Sequence, residues 1–285
     1  MMFPCFFALC NKAGIACAAD ADHTIFRLSE KTPVALAVNP ASKIPWGELI
    51  QNYRQNGLIP ERETLAEYAA DFNAFLAAIP VRDGWADLPS DEKHLFFLGF
   101  GAGDIFPSAY DVCAEVRDGF LCLEEGELKK VGTDGAVLSH FLGDFENVAT
   151  LIWGSTEQVR SFFLLKEIDL FETYAQRVRD HFRGTEYESY VEDHLDRFDI
   201  AEKVNKDLDE ATDDAYSAFQ LGVGAFSVED MVAAVETLVS ANAKLGHLKS
   251  EATGRPASVK EIAVLTIPEG LTWIKHSLYK RRTEL

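Results

Sequence analysis

The side chains able to do chemistry are scattered through this sequence rather than grouped. Its five cysteines are Cys5, Cys10, Cys17, Cys113 and Cys122, an odd set without a C-x-x-C pair. Three of them stand in apolar runs, where a thiol behaves as a small hydrophobe. The seven histidines, His23, His94, His140, His181, His194, His247 and His276, show no H-x-H or H-x-x-x-H spacing, so no metal-ligand signature is legible. Asp20 follows an apolar run, where a carboxylate can either position an amine or cap a turn by accepting backbone N–H groups. Asp22-His23 beside it is a candidate acid–base pair or a solvated turn. Gly99-Phe100-Gly101-Ala102-Gly103 follows a predicted strand, but its spacing and the Phe106-Pro107 that comes next do not suit a phosphate-binding helix. Tight backbone packing at a strand end explains it better. No cofactor is expected.

The elements that must position these residues are readable from periodicity. Phe3–Leu9, Ile15–Ala19, Thr24–Leu28 and Val34–Val38 are apolar runs of strand length separated by turn residues. Helices are predicted over Trp46–Gln55 and Arg62–Ile79, the second ended by Pro80. Strands follow at His94–Phe100, at Tyr110–Val116 and Phe120–Leu123 around an Arg117-Asp118-Gly119 turn, and at Ala136–Leu142. Residues 146–248 read as helical, and Ser227 with Asp230 forms a capping box before the last helix. Glu261–Ile267 and Leu271–Leu278 form a closing hairpin. This order predicts an α+β protein, a four-layer αββα sandwich of two antiparallel sheets covered by helices. A single domain spans 1–285, with a helical, acidic elaboration at about 146–225.

Composition narrows the partners. Lys and Arg number 27 against 46 Asp and Glu, a formal charge of -19, which repels phosphate backbones and anionic headgroups, so neither nucleic acid nor a membrane surface is expected. The N-terminal apolar run has no preceding positive charge and is interrupted by Asn11 and Lys12, unlike a secretory signal. With no disulfide pattern, this predicts a cytoplasmic protein.

Three segments resemble the β-type subunits of the proteasome family: Gly14–Asp20 with Ile25–Ser29 and Pro33–Val38, then Ile44–Arg54, then Phe226–Lys275. The resemblance implies the N-terminal-nucleophile hydrolase fold, self-assembly into a homo-oligomer, and a peptide or protein substrate. In that family the first residue of the processed chain is a threonine. Its hydroxyl attacks an amide carbonyl while its own α-amino group takes the proton, assisted by an acid after the second strand and a lysine at the head of the third. Here the acid is Asp20, whereas alignment on it puts Pro4 or Cys5 at the nucleophile position and Thr24 near the lysine position. Cys5 would serve as nucleophile only after removal of Met1–Pro4, its thiolate replacing the hydroxyl. The expectation is a divergent proteasome-like subunit that assembles but has lost the threonine peptidase machinery. Two alternatives stand beside it: an amide or peptide hydrolase using Cys5 and Asp20, and an acidic scaffold whose Thr185–Asp214 stretch recruits a basic partner.

Overall fold

The computed structural model describes residues 5–22, 24–29, 32–55, 62–82, 84–132, 137–143, 146–153, 157–196, 200–249 and 258–276. The chain divides into two compact units, residues 1–148 with 220–285, and residues 149–219.

The elements of the first half are β1 (Cys5–Asn11), β2 (Gly14–Ala19), β3 (Ile25–Arg27), β4 (Val34–Val38), α1 (Trp46–Gln55) and α2 (Leu65–Leu76). Then come α3 (Ser90–Lys93), β5 (His94–Gly99), β6 (Ser108–Arg117), β7 (Phe120–Leu123), β8 (Glu127–Lys130) and β9 (Leu138–Gly143). The helical stretch holds α4 (Glu146–Trp153), α5 (Glu157–Phe182), α6 (Glu188–Asp196), α7 (Ile200–Gly224) and α8 (Val228–Lys249). The chain returns as β10 (Glu261–Thr266) and β11 (Gly270–Lys275).

In the first unit the strands form two antiparallel sheets, one ordered β11-β10-β2-β1-β9 and the other β3-β4-β5-β6-β7, with β8 also on β6. Strand alternation sorts the side chains into layers. Phe6, Ala8 and Cys10 of β1 meet Ala35, Ala37, Phe96 and Leu98 in a core between the sheets. On the far side of the second sheet, Leu36, Leu95 and Phe97 pack with Trp46, Ile50, Tyr68 and Phe72 of α1 and α2. Met231, Val235 and Val239, spaced four apart and fully buried, form the inner stripe of α8 over β1 and β2. The layers therefore run helix, sheet, sheet, helix.

Local chemistry explains the boundaries. Thr64 caps α2 with its hydroxyl accepting the Glu67 N–H at 3.2 Å, while Glu67 reaches back to the Thr64 N–H. Thr64→Ala is expected to cost about 1 kcal/mol, read as a drop in the urea midpoint with unchanged slope. The β6–β7 turn uses Asp118 (φ 52°) and Gly119 (φ 81°), both left-handed as a two-residue hairpin requires. Ser227 and Asp230 make the expected capping box, each side chain taking the other's backbone N–H at 3.1 Å. β1 is described from Cys5 onward, and Phe3 and Pro4 of the predicted first strand lie outside the described residues. So do Ala136, Ser277 and Leu278 of the other predicted strands.

In the second unit α5 packs on α6, and most described side chains are exposed, including Leu165, Leu170, Tyr174, Tyr187 and Tyr190. The acidic face carries i,i+4 pairs such as Lys203–Asp207 at 3.5 Å. No helix among the described residues is long and apolar enough to cross a membrane.

Candidate functional site

Cys5 and Asp20 face each other across the β1–β2 pair, one step beyond the Phe6–Ala19 register. The Cys5 N–H donates to Asp20 Oδ1 at 2.7 Å, and the Asp20 N–H returns a bond to the Cys5 carbonyl at 3.2 Å. Both residues are buried, Cys5 with 1% of its surface exposed. By the alternation of β1, Cys5 belongs with Phe7, Leu9 and Asn11 on the face opposite the inter-sheet core. Asn11 marks that face, since its Nδ2 donates to the carbonyls of Val223 and Phe226 just before α8.

A second carboxylate completes the arrangement. Glu261, paired with Ala19 at the start of β10, is wholly buried. Its Oε2 accepts the N–H groups of Thr24 and Ile25 at 3.1 and 3.0 Å, and its Oε1 lies 3.4 Å from His276 Nδ1. The His276 ring stacks on Trp273 with centroids 4.1 Å apart. The Lys260 N–H donates to the Ala19 carbonyl at 2.8 Å, and Thr24 Oγ1 donates to the Ala21 carbonyl at 3.2 Å. The turn from Asp20 to Thr24 is thus held at both ends by buried carboxylates, and the Glu261 carboxylate and the Ala21 carbonyl both stand beside Thr24.

Burial holds Cys10 and Cys17 in the protonated form. Burial pushes Cys10 well above the ordinary thiol range, with Cys17 adding to it. Burial also pushes Cys17 up to about 12, a bond to the Ala263 carbonyl opposing it and the charge of Glu261 reinforcing it. Desolvation disfavours the thiolate, so these side chains are poor nucleophiles.

The structure brings together one cluster that spacing along the chain did not announce. His94 Nδ1 lies 3.1 Å from Asp111 Oδ1, and Cys113 is the cross-strand partner of His94. Thiol, imidazole and carboxylate therefore share one face of β5 and β6. Burial raises the Cys113 thiol, with the Glu124 charge adding to it, and its Sγ points to the Ser90 carbonyl at 3.8 Å. A thiol donating to a carbonyl is not poised for attack. His140 of β9 lies nearby, its ring tilted at 52° against Phe96 with centroids 4.7 Å apart, its Nε2 buried and without a hydrogen-bond partner among the described residues. Among the described residues no group of three His, Cys, Asp or Glu could hold a metal ion.

A cavity of about 750 Å³ opens at the end of β4 and the start of α1, lined by Asp22, Asn39, Pro40, Pro45, Trp46 and Glu48 among others. The Val38 N–H bonds the Thr24 carbonyl at 3.0 Å, so the cavity lies beside the turn that carries Asp20. The sequence signal for it was two prolines five residues apart just ahead of a helix, which holds a gap open where a strand turns into α1. At Gly101 the expected tight packing is present: a Cβ there would sit 2.3 Å from the Glu63 carbonyl oxygen. His23 and residues 250–257 lie outside the described residues. No protein-family model matches this chain, and no curated protein is significantly similar to it.

Proposed function

We propose that this chain is a divergent proteasome-like subunit with the N-terminal-nucleophile hydrolase fold, which associates with itself and in which the former catalytic positions serve the fold. The observation that carries the reading is Glu261. Where the resemblance expects a lysine to tune a nucleophile, a fully buried carboxylate instead accepts two backbone N–H groups at Thr24 and Ile25. A negative charge there would raise the pKa of a neighbouring thiol or amine, the reverse of what activation needs. The helix–sheet–sheet–helix layering supports the same reading, although a fold alone does not determine an activity.

The test is sedimentation of the purified chain at micromolar concentration together with its intact mass. A discrete homo-oligomer of a chain that keeps residues ahead of Cys5 is the expected result. A strict monomer would sink the assembly half of the reading, and a chain beginning at Cys5 would sink the structural half.

A second reading is favoured by one contact. If the Pro4–Cys5 bond were cut, the new α-amino group would already sit 2.7 Å from Asp20 Oδ1. In that reaction the amine takes the thiol proton, Sγ bonds to an amide carbon, and the C–N bond breaks with the proton passing to the leaving amine. Water then hydrolyses the thioester and restores the thiol. Burial of Cys5 requires that the cut also open the site. A thiol-directed amide-hydrolase probe that labels Cys5 of the native-host protein, and fails to label Cys5→Ser, would establish it.

A further inference from the structure

We infer that β9 is an acid-released edge strand, latched onto β1 by the uncharged ring of His140, so that acid bares the edge of β1 while the rest of the fold stays closed. The release needs neither self-association nor a cut before Cys5, so it goes beyond the reading above. β9 stands at the end of its sheet and, among the described strands, is hydrogen-bonded to β1 alone. An edge strand of six residues can leave without breaking any other strand pair. What it uncovers is an apolar strand with unpaired N–H and C=O groups, a surface that other chains can pair with.

His140 lies opposite Ala8 of β1 and therefore points with it into the core between the sheets. There its ring meets Phe96 of β5, in the facing sheet. The neutral ring suits this seam and the imidazolium does not. A proton gives the ring a second N–H donor, yet no described acceptor pairs with Nε2, and a buried charge without a partner is costly. The surrounding elements compensate little. β1 presents Phe6, Ala8 and the neutral thiol of Cys10. β8 brings Lys129, whose like charge opposes the proton and which pairs with Glu127 at 3.2 Å. β6 brings Asp111, which favours the proton, but Asp111 Oδ1 already lies 3.1 Å from Nδ1 of His94, itself beside Cys113. α3, which packs on β9, carries Asp91, Glu92 and Lys93, but the charges that reach the ring are those of Lys129 and Asp111. Burial, then Lys129, accordingly lowers the His140 pKa from 6.5 to about 4. The closed strand binds a proton less readily than the released one, so the latch holds fully above pH 6.5 and weakens as pH falls towards 4.

The experiment is hydrogen exchange of the full chain, read by mass spectrometry at pH 7 and pH 5 and corrected for the intrinsic pH dependence of amide exchange. Peptides covering Leu138–Gly143 should lose protection roughly twentyfold between the two, the change in opening that this linkage yields. Those covering Gly14–Ala19 and Glu261–Thr266 should keep theirs. His140→Leu, which has no proton to bind, should leave β9 equally protected at both pH values. Lys129→Gln, at a side chain exposed enough to be replaced without loss of the fold, should lose less protection than the parent, and it decides the matter if His140→Leu does not fold. Constant protection of β9 in the parent, a loss shared equally by β2 and β10, or an undiminished loss in either variant would overturn the inference.

Discussion

Glu261→Ala should lower the stability of the chain by about 3–5 kcal/mol, the largest effect expected of any single substitution at the site. The change strands the buried N–H groups of Thr24 and Ile25, each costing about 1–3 kcal/mol without an acceptor, and leaves a cavity where the side chain was. His276 loses its partner at the same time, but it is one-third exposed and contributes little. Glu261→Gln keeps an oxygen that can accept both N–H groups and should recover more than half of the loss. Urea unfolding of the three proteins at pH 7 gives the comparison. If alanine and glutamine were equally damaging, the charge rather than the backbone clamp would be the important property.

Acid should weaken the fold through His140. Burial, then the charge of Lys129, lowers its pKa from 6.5 to about 4, with Asp111 opposing. The folded form therefore binds a proton less readily than the unfolded chain does. The stabilisation is fully present above pH 6.5 and is lost as pH falls towards 4. Roughly 3 kcal/mol is at stake, from about 1.4 kcal/mol per unit, and the ring is only 5% exposed, so solvent screens little of it. His140→Leu removes the titration while sacrificing no hydrogen bond at Nε2. Its unfolding free energy should fall less than the parent's between pH 7 and 4.5, by about 2–3 kcal/mol. Parallel losses in the two proteins would assign the acid sensitivity to carboxylates instead.

Reading the sequence succeeded where a pattern was local. α1 at Trp46–Gln55 and β4 at Val34–Val38 coincide with their predicted limits, because apolar periodicity and flanking turn residues decide such segments. The β6–β7 turn was legible in Asp118-Gly119 for the same reason. β8 was not, since Glu-Leu-Lys-Lys has no strand pattern of its own and is extended only by pairing with β6. The site divided in the same way. Asp20 could be placed after its strand, but its contact with Cys5 depends on hairpin register, and the Glu261 clamp joins residues 237 positions apart. The His94, Asp111 and Cys113 cluster likewise exists only once β5 and β6 are in register. Polar residues that meet across a sheet leave no spacing rule in the chain.

The pairing of β10 with β2 sets a timetable for biosynthesis. Ala19 finds its neighbour only when Glu261 has been made. At about 5–20 residues per second, the wholly buried β2 keeps one edge open for roughly 10–50 s on the ribosome. An apolar strand waiting that long is open to pairing with another nascent chain. Yield during expression should therefore depend on slow growth and on chaperone supply more strongly than the stability of the finished protein would suggest.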